Sequence, residues 1–150
     1  LPGRTLHLLS RISDGRRAEL EELAPAGARI IFHGGVTDAE YAALLADAGM
    51  LATLSLDEGY GLPIAEALAL GEPAVVSDMA IFHEVGGDGA LYVPPRDPRA
   101  FAAAVESLDD DAARAALVAA GRAHISRFTW AESASRLLAA SRRARALRAR

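Results

Sequence analysis

The sequence predicts an α/β fold in which a parallel sheet is covered by helices on both faces. Short apolar runs alternate with stretches of helical periodicity along most of the chain. The runs are continuous rather than alternating, which is typical of parallel strands that are buried on both faces. With 150 residues and 51% hydrophobic side chains, the chain can bury a core of its own. We therefore expect residues 1–150 to form one domain.

The first predicted elements are a strand, a helix and a second strand. An apolar run at 5–10 is bounded by turn residues and indicates a strand. Ser13 or Asp14 can then cap a helix, since either side chain accepts hydrogen bonds from the first helical N–H groups. The helical spacing directs two leucines towards the core, Leu20 and Leu23. A second apolar run, at 28–33, indicates the next strand.

Capping residues mark the two helices in the middle of the chain. Thr37 and Glu40 form a capping box. A stripe of apolar residues follows at helical spacing: Tyr41, Leu44, Leu45 and Ala48. An apolar run at 50–56 predicts a third strand, buried in the sheet. Pro63 stands where the following helix should begin, and Gly71 stands where it should end.

The alternation continues to the end of the chain. We predict strands at 74–77 and 90–93, with a short helix at 81–85 between them. Three further helices begin at acidic or hydroxyl residues: Asp97, the acids at 109–111 and Thr129. In a parallel sheet with right-handed crossovers, the carboxyl ends of the strands meet at one edge, where ligands bind. The turn after the strand at 50–56 lies at this edge.

The composition excludes several classes of protein. The chain has no cysteine, so it forms no disulfide and carries no thiolate chemistry. No apolar run approaches the roughly 20 residues of a membrane span, and no signal-peptide pattern opens the chain. Outside the last nine positions acids outnumber arginines, which argues against a nucleic-acid-binding surface. We expect a cytoplasmic location and no nucleic-acid partner.

All 16 basic residues are arginine, and five of them lie within the last nine positions: Arg142, Arg143, Arg145, Arg148 and Arg150. Such a cluster complements the dipole at a helix C-terminus. The alternative is a peripheral contact with an anionic surface at the inner face of the membrane. We favour the helix terminus. Because the chain begins at Leu1, almost directly before an apolar run, we also expect it to be part of a longer protein.

No metal site is expected from the sequence. The four histidines lack the paired spacing of metal ligands: His7, His33, His83 and His124. The acids at 109–111 precede a predicted helix, where the helix dipole favours negative charge. No arrangement of Ser, His and Asp indicates a nucleophile.

The stretch from Asp57 to Gly71, DEGYGLPIAEALALG, is the most informative part of the chain. It predicts a strand–loop–helix unit whose helix N-terminus points its unpaired N–H groups into a crevice at the end of a strand. Such a terminus suits a phosphate, while the carboxylates of Glu58 and Glu66 suit the hydroxyls of a sugar. Together they indicate a site for a sugar joined to a nucleotide through a diphosphate. The alternative interpretation is that two glutamates begin an ordinary helix.

This stretch resembles the motif of the group 1 (family 4-like) retaining glycosyltransferases, which have the GT-B fold. The resemblance lies in two glutamates separated by seven residues, with Gly-Tyr-Gly-Leu-Pro between them, and in the Gly-Glu-Pro-Ala-Val-Val that follows. Three other segments are similar to that family in the same order: 32–40, 84–93 and 128–130. The likeness covers nearly the whole chain, which makes the ordinary-helix interpretation the weaker one.

The resemblance implies two Rossmann-like domains, of which the C-terminal one holds the nucleotide-sugar donor and corresponds to this chain. Glu58 would carry the catalytic role by accepting hydrogen bonds from the transferred sugar, and Glu66 would bind the ribose hydroxyls. Four backbone N–H groups would meet the sugar and the diphosphate, those of Gly59, Tyr60, Gly61 and Leu62. Outside the motif, Gly35 and Val36 would lie against the base. The far rim of the crevice would be lined by Ser10 and Arg11.

Two features depart from the family's pattern. The first strand and helix of the domain, which carry an Arg and a Lys that clamp the diphosphate, do not precede Leu1. The chain has no lysine at all, and the N-terminal acceptor domain is missing. We therefore expect the chain alone to bind the donor weakly and not to catalyse transfer, with no metal or other cofactor.

The sequence leaves other functions open. A non-catalytic nucleotide-sugar-binding module could regulate or scaffold a partner. The same fold with altered chemistry would suit a phosphorylase or a sugar-nucleotide epimerase. The Gly-Tyr-Gly-Leu-Pro segment favours transfer of a sugar to an acceptor hydroxyl over these. Nothing in the sequence indicates which base, sugar or acceptor is used.

Overall fold

In the computed structural model, which describes residues 3–148, strands and helices alternate as predicted. The strands are β1 (Thr5–Leu8), β2 (Arg29–Phe32), β3 (Leu51–Thr53), β4 (Ala74–Ser77) and β5 (Ala90–Val93). The helices are α1 (Asp14–Leu23), α2 (Asp38–Asp47), α3 (Leu62–Leu70), α4 (Ala80–Gly86), α5 (Pro98–Ser107), α6 (Asp111–Ile125) and α7 (Trp130–Arg148). One turn of 3-10 helix, Gly87–Gly89, lies between α4 and β5. Leu1 and Arg150 lie outside the described residues.

The chain divides into two compact units, Leu1–Asp47 and Ala48–Arg150. In the first unit β1 pairs with β2 in parallel. In the second unit β4 pairs in parallel with β3 on one side and with β5 on the other. The α/β class with parallel strands is confirmed, although the strands form two sheets rather than one. That residues 1–150 make up a single donor-binding domain stays a prediction.

In the first unit, α1 begins as predicted but directs fewer side chains inward. Of the two candidate caps, Ser13 is used, since its Oγ accepts the N–H of Arg16 at 3.3 Å. Leu20 is partly buried. Leu23 is 76% exposed, so the prediction that it faces inward is wrong. It is the last residue of α1, and the backbone becomes extended at the next residue.

The predicted capping box at the start of α2 is confirmed. The N–H of Thr37 donates to Oε2 of Glu40 at 2.7 Å, and the N–H of Glu40 donates to Oγ1 of Thr37 at 3.3 Å. Hydrogen bonds from Thr37, the backbone one first, stabilise the carboxylate and lower the pKa of Glu40 from its ordinary value. On the predicted apolar stripe, Leu45 is buried, while Tyr41 and Leu44 are partly buried.

Helices cover both faces of the three-stranded sheet in the second unit. On β4, Ala74 and Val76 belong to a buried cluster with side chains of α3 and α4, among them Ile64, Leu68 and Phe82. Val75 lies in a second buried cluster with side chains of β5 and α5, Val93 and Val105. Successive strand residues point to opposite faces, so the two clusters lie on opposite sides of the sheet. β4 is buried throughout, as predicted.

β3 is shorter and more exposed than predicted. The buried strand expected at 50–56 is reduced to Leu51–Thr53, and Leu54 and Leu56 are 37% and 60% exposed. In the three-stranded sheet β3 is hydrogen-bonded to β4 only, so it is an edge strand. Ala52, in its middle, is also exposed. The prediction of a buried strand is therefore wrong, because a continuous apolar run does not distinguish a central strand from an edge strand.

α7 is exposed along its described length. It has no buried residue, and its large apolar side chains are 57% to 93% exposed: Trp130, Leu137, Leu138 and Leu147. Four of the five clustered arginines lie on α7, and Arg150 lies outside the described residues. Among residues 3–148, no helix is both long and apolar enough to cross a membrane. Peripheral membrane contact stays a prediction.

Two glycines allow α6 to approach the 3-10 turn closely. A Cβ added at Gly89 would meet the backbone Cα of Gly121 on α6. A Cβ added at Gly121 would lie 2.7 Å from Cδ2 of Leu68. Backbone atoms cannot move aside unless a whole element shifts, so a larger residue at position 89 forces the turn and α6 apart.

We expect Gly89→Ala to lower the free energy of unfolding by about 1–3 kcal/mol, because the new methyl group overpacks against backbone. Urea denaturation measures this change. Gly49→Ala is the matched control, since a Cβ added at Gly49 has no atom within 4 Å. Equal stability of the two variants would contradict the close packing of α6 on this turn.

Candidate functional site

The loop between β3 and α3 ends in a glycine that occupies the left-handed region. Gly61, the residue before α3, has φ 97° and ψ 45°. A Cβ added there would lie 3.1 Å from Cε1 of Phe82 and 3.2 Å from Cδ1 of Ile64. Both the backbone conformation and the available space therefore require glycine. Pro63 follows in the first turn and Gly71 ends the helix, as predicted.

Two contacts hold this loop at the carboxyl ends of β3 and β4. At one end, Gly61 packs against Phe82, a fully buried residue of α4. At the other end, the hydroxyl of Ser77 donates a hydrogen bond of 2.7 Å to the carbonyl of Ser55. Ser77 is the last residue of β4 and is fully buried. The loop thus lies at the sheet edge where parallel α/β folds bind ligands.

Several backbone N–H groups at the start of α3 have no acceptor among the described residues. Within residues 3–148, the N–H groups of Tyr60, Gly61 and Leu62 donate no hydrogen bond. The N–H of Gly59 instead donates to Oε1 of Glu58 at 3.2 Å. Three of the four predicted N–H donors are therefore unpaired, and the fourth is paired with the neighbouring carboxylate. Their contact with a donor molecule stays a prediction.

The two glutamates of the motif are both exposed. Glu58 lies on the loop, and Glu66 lies on α3 one turn after Leu62, which is 62% exposed. Glu66 shares a helix face with Leu62, four positions earlier. The buried residues of α3, Ile64, Ala67 and Leu68, lie on another face. Both carboxylates can therefore be reached from solvent. That they flank one crevice stays a prediction.

The structure adds a cluster that the sequence analysis missed. Nε2 of His83 lies 2.7 Å from Oδ1 of Asp78. The His83 ring stacks on Tyr92, with ring centres 3.7 Å apart and planes at 19°. The Tyr92 hydroxyl donates to the carbonyl of Gly87 at 2.7 Å. Asp78 directly follows β4 and Tyr92 lies near the end of β5, so this cluster lies at the carboxyl ends of these strands. No spacing in the sequence indicates the pairing, because Asp78 lies outside α4.

The predicted site residues of the first unit follow its two strands. Ser10 and Arg11 come after β1, and Gly35 and Val36 come after β2. The structure brings two of them together, because a Cβ added at Gly35 would lie 2.9 Å from Nη2 of Arg11. Ser10 is exposed and Val36 is partly buried. These four residues belong to a different unit from the motif, and their role in donor binding stays a prediction.

A groove of about 560 Å³ lies beside α2 in the first unit. Its lining mixes apolar and ionisable side chains: His33, Val36, Glu40, Ala43, Leu44 and Asp47. Of the predicted site residues, only Val36 borders it. The motif belongs to the second unit, so this groove gives no support to the role of the motif.

The side chains of two histidines are in contact, although 26 positions separate them in the chain. Nδ1 of His7 lies 3.0 Å from Nε2 of His33, and the rings stack with centres 5.2 Å apart. The parallel pairing of β1 and β2 brings them together, which their spacing in the sequence does not indicate. In the part of the chain that the structure describes, no group of three or more candidate ligands could hold a metal ion. Independence from metals stays a prediction.

The chain is similar to known glycosyltransferases in sequence. The sequence model of the family described as glycosyl transferases group 1 matches residues 5–111. Over 115 residues, 74% of this chain and 30% of the relative, the chain is 37% identical to O-antigen chain mannosyltransferase B of Escherichia coli. The chain spans between about a quarter and a third of the length of the curated relatives it matches.

Solved structures share the fold. A sucrose-phosphate synthase from Thermosynechococcus elongatus matches with a TM-score of 0.76 and 26% identity, over 95% of this chain and 39% of the other. The Anabaena protein HepE, solved in complex with UDP and glucose, matches with a TM-score of 0.67 and 18% identity, over 91% and 47% of the two chains. The predicted resemblance to the C-terminal half of the GT-B fold is confirmed.

The pKa of Tyr92 gives a test of how deeply the His83 cluster is buried. Burial, and then the negative charges of Asp88 and Asp78, raise the pKa of Tyr92 from its ordinary value of 10 to about 12. Because the folded protein holds this proton more tightly than the unfolded chain, the resulting stability is complete below pH 10. It is lost as the pH rises from about 10 towards 12. Titration of tyrosinate absorbance should show one of the three tyrosines ionising late.

Tyr92→Phe should remove the late ionisation step. Tyr60→Phe is the matched control and should leave that step in place, since Tyr60 is 40% exposed on the loop. A late step that persists in Tyr92→Phe would show that another tyrosine is the buried one.

Proposed function

The chain belongs to the group 1 glycosyltransferases, and on this basis we propose that it binds the nucleotide-sugar donor of a retaining transfer reaction. In that reaction a sugar passes from a nucleoside diphosphate to an acceptor hydroxyl and keeps its anomeric configuration. We assign the acceptor to a separate N-terminal domain, since the chain spans only about a third of relatives such as the Escherichia coli enzyme.

The start of α3 is the observation that carries this proposal. The N–H groups of Tyr60, Gly61 and Leu62 have no acceptor among residues 3–148. The helix dipole adds positive potential at the same end. A diphosphate placed there would accept these hydrogen bonds. Donors fixed in this way stabilise the charge that develops on a leaving diphosphate.

We assign the hydroxyl groups of the donor to the two glutamates. Glu58 would accept hydrogen bonds from the transferred sugar, and Glu66 would accept them from the ribose. A carboxylate has two oxygens and fits the two neighbouring hydroxyls of a ribose. Glu58 accepts the N–H of Gly59 through Oε1, which holds the carboxylate beside the loop and leaves its other oxygen for the sugar.

Known proteins support the donor chemistry. The Escherichia coli relative is a mannosyltransferase, which supports transfer of a sugar. The Anabaena structure contains UDP and glucose, which supports a nucleoside diphosphate at this fold. Neither fixes the base or the sugar for this chain, so both stay open in the proposal.

Glu66→Ala tests the donor site. Calorimetric titration with UDP, GDP and ADP should show that at least one of them binds the unchanged chain. Glu66→Ala should weaken that binding about tenfold or more, because a hydrogen bond to a charged group contributes about 1.5–3 kcal/mol.

Glu106→Ala is the matched control, since Glu106 is exposed on α5 and lies outside the motif. It removes the same charge and should leave the affinity unchanged. The donor-site assignment is contradicted if none of the three nucleotides binds, or if the two variants bind equally well.

The chain by itself should bind the donor without transferring its sugar. The reason is that the acceptor domain and the upstream cations implied by the family are not part of the chain. Incubation with a nucleotide-sugar and acceptor sugars, followed by mass spectrometry, should give no glycosylated product. A longer protein that includes the acceptor domain should give a product whose anomeric configuration is retained by NMR. Product formation by the chain alone, or inversion by the longer protein, would contradict this assignment.

A further inference from the structure

We propose that His83 is a positioning residue for the motif loop, the residues 54–61 between β3 and α3. Its hydrogen bond to Asp78 holds the segment 77–83, which runs from the end of β4 into α4. That segment in turn holds both ends of the motif loop. His83 therefore changes the affinity for the donor by way of the loop. The proposal rests on the proposed function, because the loop is the one that binds the donor there.

Two contacts join the segment 77–83 to the motif loop. The hydroxyl of Ser77 donates to the carbonyl of Ser55 at 2.7 Å. At the other end of the loop, Gly61 packs against the ring of Phe82. Ser77 and Phe82 are both fully buried. The ends of the loop are thus held by the two buried residues of the segment, so a shift of the segment moves the loop.

The side chain of His83 links the two parts of this segment. Nε2 of His83 lies 2.7 Å from Oδ1 of Asp78, five positions earlier in the chain. A carboxylate only accepts hydrogen bonds, so Nε2 carries the proton and donates it. Met79, the residue before α4, makes no side-chain hydrogen bond to the helix among residues 3–148. The bond between Asp78 and His83 thus ties the end of β4 to α4 where no capping side chain does so.

The neighbouring strand β5 fixes both partners of this bond. The backbone N–H of Asp78 donates to the carbonyl of Val93 at 2.8 Å. The ring of His83 stacks on Tyr92, with ring centres 3.7 Å apart. The hydroxyl of Tyr92 lies 3.3 Å from the carbonyl of Phe82, the residue that packs against the loop. The imidazole is therefore held by an aromatic ring on one face and by a carboxylate at its edge.

The exposure of the pair allows positioning to be measured apart from stability. The side chains of His83 and Asp78 are 50% and 62% exposed. An exposed pair contributes little to the free energy of unfolding. Its removal should therefore leave the buried core in place and loosen only the segment 77–83 and the loop that this segment holds.

Two substitutions of His83 separate its hydrogen bond from its stacking. His83→Phe keeps an aromatic ring beside Tyr92 but has no N–H to donate. His83→Gln loses the ring but keeps a donor, because the amide nitrogen of glutamine lies as far along the side chain as Nε2 of histidine. If the hydrogen bond positions the loop, His83→Gln should behave like the unchanged chain and His83→Phe should not.

Hydrogen exchange at Ile64 measures the position of the loop without a nucleotide. The N–H of Ile64 donates to the carbonyl of Gly61 at 3.0 Å, at the end of the motif loop. Loosening of this end exposes the amide to water. Exchange should be about threefold faster in His83→Phe, as expected for loss of an exposed pair, and unchanged in His83→Gln. An unchanged rate in His83→Phe, or equally fast exchange in both variants, would overturn the proposal.

Calorimetric titration measures the effect on the donor site. The nucleotide that binds the unchanged chain should bind about threefold more weakly to His83→Phe and with unchanged affinity to His83→Gln. Equal affinities of the unchanged chain and His83→Phe would show that the hydrogen bond does not act on the donor site, contrary to the proposal.

His7→Phe is the matched control. Nδ1 of His7 lies 3.0 Å from Nε2 of His33, and the two rings stack. His7→Phe thus also removes a hydrogen bond of a ring nitrogen and keeps a stacked ring, but it lies in the first unit. The exchange of Ile64 and the nucleotide affinity should both stay unchanged. The same changes in His7→Phe as in His83→Phe would overturn the proposal.

Asp78→Ala tests the other partner of the bond. It should have the same effects as His83→Phe, and the variant that carries both substitutions should be no worse than either alone, because both remove one interaction. Effects that add up in this variant would show that the two residues act independently and would overturn the proposal.

The two readouts separate this proposal from the proposed function. If no nucleotide binds the unchanged chain, the proposed function fails, while the exchange of Ile64 still decides whether His83 positions the loop. If a nucleotide binds and Glu66→Ala weakens it, but His83→Phe changes neither exchange nor affinity, the donor site stands and the role of His83 is wrong.

Discussion

The packing of Gly61 against Phe82 is the contact on which the site of the second unit depends. Phe82 is fully buried between α3, α4 and the sheet, so it cannot shift without opening the core. It fixes the point at which the loop turns into α3. The Ser77–Ser55 hydrogen bond fixes the other end of the loop. Between these two anchors the side chains at 56–60 are exposed, so the polar groups of the loop have a defined place on the scaffold.

The two ends of α3 differ in whether their backbone groups have hydrogen-bond partners. At its C-terminus, Gly71 closes the helix, and the guanidinium of Arg122 donates to the carbonyl of Leu70 at 3.1 Å. Beside it, Arg114 donates to Glu72 at 3.2 Å. Burial raises the pKa of Glu72, against the opposing effect of these two arginines. At its N-terminus no side chain caps the helix. The structure thus satisfies the end that faces away from the loop, while the other end has no side-chain cap.

Features that depend on neighbouring residues could be predicted from the sequence. The capping box of Thr37 and Glu40, the limits of α3 at Pro63 and Gly71, and the alternation of strands and helices all follow from local backbone preferences. The motif could be found because its residues lie within one strand–loop–helix unit. These interactions join residues that are close in the sequence, so the residue types alone are enough to predict them.

Features that depend on packing between distant segments could not be predicted. The stacking of His83 on Tyr92 requires α4 to lie beside β5, and the contact of His7 with His33 requires the register of β1 and β2. No local pattern encodes either arrangement. The contact of Arg11 with Gly35 is of the same kind. The exposure of the β3 region was missed for a related reason. An apolar run predicts a strand, but it does not show whether other elements cover both faces of that strand.

An edge strand such as β3 affects how a sheet behaves in concentrated solution. A strand paired on one side only offers its remaining N–H and C=O groups as a template for another strand. Here that edge is followed by two exposed leucines, Leu54 and Leu56, so association of copies through β3 gains apolar burial as well as hydrogen bonds. Ala52 is exposed in the middle of the strand. A charged residue there would oppose edge-to-edge pairing, as lysine does on the edges of natural sheets, while leaving the buried face of the sheet intact.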